Sequence, residues 1–256
     1  MKKFSPKPSP ELSYTIGVFL GDGCVKIQPK GYRYIVKLKV KDKEFVEEFS
    51  RILSKLLDKS KPYAVWQESD FTRGNRFRYA TQANSKLLVN FLSKSLDNLL
   101  LYIKPFYSEF LRGLFDSDGY TIICAKKKFT VKIGLVNSNL KLLKYVKKIL
   151  KNEFGIYSLI KSCNQKNKIK IIWNRTYVAK KEVYNLTIPN FFNVIKFIEE
   201  IKFSIERKQE KMLDAIFLKQ NFNPEEAVTK WEESYMKIGR EWIKRTDSGD
   251  SPKMSF

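Results

Sequence analysis

Along residues 32–40 the chain alternates, with Tyr32, Tyr34, Val36, Leu38 and Val40 set against Arg33, Ile35, Lys37 and Lys39. Residues 128–135 repeat the pattern, Phe129, Val131, Ile133 and Leu135 against Lys128, Thr130, Lys132 and Gly134. A period of two predicts a strand. In each, an apolar face packs on a core while a mostly basic face meets water or an anion. The runs 24–28 and 120–126 are expected to supply the preceding strand of each hairpin.

After each hairpin the period lengthens. Residues 42–57 place Phe45, Val46, Phe49, Ile52, Leu53 and Leu56 on one helical face, and residues 138–154 do the same with Leu142, Leu143, Val146, Ile149 and Leu150. Asp42 and Ser138 are suitable N-caps. Strands are expected at 63–68 and 76–82, then at 156–162, 168–174 and 182–188. Helices at 85–100 and 191–201 close the two halves. Two further helices, 205–220 and 224–244, have no counterpart in the first half, and 246–256 reads as a disordered end.

The chain is therefore duplicated. Two segments at corresponding places, residues 15–23 (TIGVFLGDG) and 111–119 (LRGLFDSDG), make this explicit. The expected class is α+β, two pseudo-symmetric αββαββα halves with an antiparallel sheet each. An N-terminal arm would occupy 1–8, the halves 9–104 and 105–220, and a C-terminal helical extension with the disordered end 221–256.

Charge narrows the function. The chain carries 49 Lys plus Arg against 27 Asp plus Glu, a formal net charge of +22. Such a surface seeks a polyanion, and nucleic acid is the commonest one. A membrane surface fits less well, because no stretch confines its lysines to one helical face opposite Trp and Leu. Histidine is absent, which excludes Ser-His-Asp triads, Cys-His pairs and His-containing zinc sites. Cys24, Cys124 and Cys163 are too few and scattered for a zinc cluster and odd in number for a disulfide framework. No run approaches 18 apolar residues, so an intracellular, soluble protein is expected.

The repeated segments carry the candidate chemistry. Ser9, Pro10 and Glu11 form a helix start, and the second helix should begin near 105–108. Gly17 with Gly21, and Gly113 with Ser117, lie four apart and share a helical face. Small residues there let two helices approach closely. Asp22 and Asp118 would then meet at two helix C-termini, where the dipoles and their mutual repulsion disfavour both anions. A divalent cation such as Mg²⁺ resolves both costs. Gly23 and Gly119 would allow the turn into the following strand.

Residues 111–119 resemble the signature of the LAGLIDADG homing endonucleases at Leu111, Gly113, Leu114, Asp116, Asp118 and Gly119. Residues 15–23 resemble it at Gly17, Gly21, Asp22 and Gly23, with Leu20 in place of the first acid. The resemblance implies a saddle of two antiparallel four-stranded sheets on a long, asymmetric double-stranded DNA site. It implies a monomer that cuts both strands and leaves short 3′ overhangs, using Mg²⁺ or Mn²⁺, with Ca²⁺ binding without supporting cleavage. It further implies Asp22 and Asp118 as catalytic metal ligands, joined by the backbone carbonyls of Gly21 and Ser117. Val40 and Val136 stand where a glutamine often occurs. Lys104 and Lys208 are the candidates for auxiliary basic residues, ahead of Lys41.

For DNA readout the polar strand faces offer Arg33, Lys37 and Lys39, then Arg76, Arg78 and Gln82, then Lys128, Thr130 and Lys132, then Lys168, Lys170 and Asn174. Lys and Arg suit guanine, Gln and Asn adenine, and others phosphate alone. The alternative is an RNA maturase acting on intron RNA, or a catalytically inactive DNA-binding protein of the same fold. Retention of both motif acids argues against an inactive site and leaves a dual role open, and a freestanding, intron-encoded enzyme is expected.

Overall fold

The computed structural model describes residues 4–28, 33–70, 76–126, 128–164, 167, 169–172, 175–239 and 241–245. Its centre is a pair of helices, α1 (Pro10–Leu20) and α5 (Tyr107–Ser117). Ser9 caps α1 by accepting the Leu12 N–H at 3.1 Å, with proline in the first turn as expected. Residues 12–18 of α1 are all buried, and α5 buries Phe110, Leu111, Gly113, Leu114, Phe115 and Asp116. Glycine makes this contact possible. A Cβ on Gly17 would lie 2.3 Å from the Phe110 carbonyl oxygen, and one on Gly113 2.3 Å from that of Tyr14.

Each central helix leads into a sheet. In the first half β1 (Cys24–Ile27) and β2 (Tyr34–Val40) form the hairpin, α2 (Lys43–Leu56) follows, and β3 (Val65–Asp70) and β4 (Arg76–Asn84) complete the order β1-β2-β4-β3. In the second half β5 (Gly119–Cys124), β6 (Thr130–Asn137), α6 (Leu140–Asn152), β7 (Leu159–Asn164), later joined by β10 (Val183–Ile188), give β5-β6-β10-β7. Every pairing is antiparallel. The α+β fold with two four-stranded sheets is as expected. Val36, Leu38, Val131, Ile133 and Leu135 point into one continuous core with the central helices.

Five local expectations are corrected. The cap of α6 is Asn139 rather than Ser138, its side chain accepting the Leu142 N–H at 3.0 Å. The helix expected over 85–100 is two, α3 (Lys86–Leu92) and α4 (Leu96–Leu100). Ser93 donates back to the Val89 carbonyl at 2.8 Å and Ser95 starts the second helix as its N-cap, so side chains compete with the backbone ladder. The described part of the strand expected over 168–174, Ile169–Ile172, does not join the second sheet. β7 and β10 pair directly, and the chain between them folds into a separate hairpin, β8 (Ile169–Ile172) with β9 (Arg175–Val178). The strands expected from residues 63 and 156 begin later, at Val65 and Leu159.

The fifth concerns the C-terminal region. After α7 (Phe191–Glu200) and α8 (Glu206–Asn221), α9 (Pro224–Ser234) ends ten residues short of the expected helix. The chain then forms a hairpin, β11 (Tyr235–Ile238) with β12 (Glu241–Lys244), turning at Gly239 with φ +62°. Packing overrides the helical spacing. Trp231 stacks on Tyr235 at 3.9 Å and meets Trp242 and Phe129 edge-on, while the Trp242 indole donates to the Ile123 carbonyl at 3.0 Å. Trp231, Tyr235 and Trp242 thus pack back on the second half of the molecule. The expected disordered end, 246–256, lies outside the described residues, among which no helix is long and apolar enough to cross a membrane.

Candidate metal centre

The packed glycines bring the C-terminal ends of α1 and α5 together. Gly21 is the C-cap of α1 and Asp118 that of α5. A Cβ on Gly21 would lie 2.3 Å from Ser117 Oγ and 3.3 Å from Asp118 Cγ, so the two motif ends touch. Ser117 Oγ accepts the Asp22 N–H at 2.5 Å, a bond across the pseudo-symmetry that ties one motif to the other. Asp22 and Asp118 therefore flank one point, each at the negative end of a helix.

Their electrostatics match that placement. Burial pushes the Asp118 carboxyl up to about 6, against the hydrogen bond from Asn137 and reinforced by the charge of Asp22. Burial also raises Asp22, while the Ser117 hydroxyl, Lys208 and Arg78 oppose the shift. Asn137 was not foreseen. Its Nδ2 donates to Asp118 Oδ2 at 2.6 Å and its Oδ1 accepts the Asn139 N–H at 2.8 Å, so the start of α6 fixes the amide that holds the carboxylate. It stands one residue beyond Val136, at the strand end.

Asp116, the first acid of the second motif, has another task. Only 2% exposed, it accepts from the Tyr14 hydroxyl at 2.9 Å and from the Ser204 N–H at 3.1 Å. Burial pushes it up to about 6 against these bonds and the charge of Lys208. It joins α1, α5 and the segment leading into α8. Lys208, in the first turn of α8, donates to the carbonyls of Asp116 at 3.1 Å and Gly119 at 3.5 Å. Burial lowers its pKa, with the charges of Asp116, Asp42 and Asp22 opposing.

Of the two auxiliary lysines, only Lys208 is near the acids. Lys104 is exposed ahead of the N-terminal end of α5, and eleven helical residues at about 1.5 Å each place roughly 16 Å between it and Asp118. Lys41, with Asp22, Ser117, Lys208 and Trp242 among others, lines a cleft of about 950 Å³ that runs from Asp22 along β5 to the C-terminal hairpin.

The readout candidates divide. Lys37 lies opposite Gln82, Lys39 opposite Ala80 and Arg78 opposite Glu68, so Lys37, Lys39, Arg78 and Gln82 share one sheet face. Thr130 and Lys132 share a face of the second sheet opposite Cys124 and Ile122. Arg33 and Lys128 are exposed just before β2 and β6. Arg76 and Lys170 belong to β4 and β8, with side chains outside the described ones, and Lys168 and Asn174 lie outside the described residues. Glu68, which no motif or spacing in the sequence marks, binds both Lys37 and Lys39.

Fold and site together define a duplicated two-sheet protein with an acid pair where its central helices converge. A family model described as the LAGLIDADG-like domain matches residues 9–94 and again 105–202, and the chain belongs to this family. It is 35% identical over 206 residues to the uncharacterized protein MJ0398 of Methanocaldococcus jannaschii, covering 80% of this chain and 71% of that one. Among solved structures it is similar to the homing endonuclease I-WcaI bound to its DNA recognition sequence, with TM-score 0.53, 17% identity and coverage of 85% of this chain and 88% of the other. I-DmoI in complex with DNA and Ca has TM-score 0.51, 20% identity and coverage of 75% and 88%. At these identities the likeness is one of fold.

Proposed function

We propose that the protein is a divalent-metal-dependent DNA endonuclease that makes a double-strand break with short 3′ overhangs at a long asymmetric target. The observation that carries this reading is the convergence of Asp22 and Asp118 at two helix ends, between two sheets whose outer faces carry Lys37, Lys39 and Arg78 on the first and Lys132 on the second. I-WcaI and I-DmoI, which share the fold, are described bound to DNA, the latter also with Ca.

The donors suit a hard cation. Asp22 and Asp118 would supply one carboxylate each and Gly21 and Ser117 backbone carbonyls, all oxygen. Two carboxylates and two carbonyls would fill only part of the shell of such a cation, leaving the remaining positions to water and a substrate oxygen. Bound Mg²⁺ or Mn²⁺ would activate water and stabilise the leaving oxygen of a phosphodiester. The chain's own residues do the rest. Ser117 and Asn137 hold the two acids in place, Asp116 anchors the approach to α8, and Lys208 places a cation beside Asp22 to offset phosphate charge. One chain carries both acids, so a monomer suffices.

The test is incubation with a randomised duplex library in Mg²⁺ or in chelator, followed by sequencing of the ends. Recurrent sites with one fixed 3′ stagger are expected in Mg²⁺ alone. Ends without a fixed stagger, or none dependent on metal, would refute the reading. Asn137→Leu keeps the volume and loses the bond to Asp118, so cleavage should fall about 10- to 100-fold with duplex affinity unchanged. An unchanged rate would show that Asn137 only caps structure.

A further inference from the structure

Glu68 on β3 draws two lysines from a strand that is not its neighbour, for β4 lies between β2 and β3. Adjacent strands are about 4.8 Å apart, so the lysines reach across roughly 10 Å of sheet. The register shows how. Lys39 lies opposite Ala80, and Ala80 opposite Trp66, so a single methyl group leaves the lane over β4 open. Ala80 is 0% exposed yet stands outside the hydrophobic core cluster, covered on the outer face of the sheet.

The bonds are specific. Lys39 Nζ lies 3.0 Å from Glu68 Oε2, Lys37 Nζ binds Oε1, and the Trp66 indole donates to Oε1 at 2.8 Å. Lys37 Nζ also sits 5.3 Å from the centre of the Trp66 ring. Burial pushes the Glu68 carboxyl up, but the hydrogen bonds from Lys37, Lys39 and Trp66 outweigh it and hold its pKa at about 2. It is an anion throughout the neutral range, on a face read as a contact for a polyanion. If the only task of this face were to grip phosphate, the carboxylate would oppose it.

We propose that Glu68 is a specificity-determining residue, which withholds Lys37 and Lys39 from DNA phosphates and keeps them directed at base edges. This rests on the DNA reading above. Lysines held in fixed positions can discriminate guanine in the major groove, whereas lysines free to swing find the nearest phosphate whatever the sequence. Sequence-independent affinity is lowered and discrimination is gained.

The experiment is duplex binding by full-length wild type and Glu68→Gln, with mixed-sequence DNA as the probe over a range of salt. Gln keeps an acceptor for the Trp66 indole and removes the charge. The variant should bind mixed-sequence duplex more tightly, with a slope of log K against log salt steeper by up to about 1.8, since each further phosphate contact contributes about 0.9. Adding Lys37→Gln and Lys39→Gln to the variant should abolish the steeper slope, which separates a lysine-mediated effect from a general loosening of the sheet. Wild-type and variant slopes that coincide, with duplex bound by both, would overturn the inference and leave the DNA reading standing. No salt-dependent duplex binding by wild type would bring down both.

Discussion

Gly17→Val is expected to destabilise the protein by about 3 kcal/mol, the upper end of the usual overpacking range, and to lower its thermal midpoint by roughly 6–12 °C. The atoms that a Cβ would strike belong to the backbone, the Phe110 carbonyl oxygen at 2.3 Å and the Leu114 nitrogen at 2.8 Å. Neither can rotate away, so α1 and α5 must separate. Separation also pulls Gly21 from Ser117 and stretches the bond from the Asp22 N–H to Ser117 Oγ, on which the spacing of the acids depends. Cleavage should therefore fall even at temperatures where the variant stays folded. Circular dichroism melts alongside cleavage assays check both parts, and an unchanged midpoint would mean that the helices are not packed backbone to backbone.

Asp22→Asn and Asp118→Asn should each reduce metal-dependent cleavage about 1000-fold or more. Metal stabilisation of the reacting oxygens is worth several kcal/mol, and each 1.36 kcal/mol is tenfold in rate. Stability should move the other way or not at all. Burial raises both carboxyls above their usual range, so their charged forms are disfavoured in the metal-free fold, and a neutral amide of the same shape relieves repulsion. Loss of cleavage with an equal or higher melting point marks acids kept for chemistry rather than for folding. A large fall in midpoint with cleavage per folded molecule intact would show the opposite.

Much of this was legible in the sequence because it was written twice. A lone GDG after an apolar run is an ordinary helix stop, but two copies ahead of matching hairpins placed Asp22 and Asp118 together, and the structure brings their helix ends into contact. The glycine faces of α1 and α5 were readable for the same reason. Asn137 was not, because it has no repeated partner: by the register of the two hairpins the corresponding position of the first half is Val40. Its role appears only when the end of β6 is aimed at Asp118.

Glu68 was hidden for a topological reason. Its lysines come from a strand two places away, over Ala80, and no local spacing announces such a pair. Lys104 misled through proximity in sequence, since a short distance before a helix is a long one from its far end. The C-terminal hairpin was misread because Trp231, Tyr235, Ile238 and Trp242 keep helical intervals, while Gly239 in a left-handed conformation and the anchorage of Trp242 on Ile123 favour strands. Local period loses where an aromatic cluster can form only after a turn.

The central claim is that Asp22 and Asp118 jointly hold a divalent cation, and Mn²⁺ titration followed by electron paramagnetic resonance tests it directly. Wild type bound to duplex should remove Mn²⁺ from the free signal, and Asp22→Asn and Asp118→Asn should each remove less, with duplex still bound. Equal Mn²⁺ uptake by wild type and both variants would contradict the account.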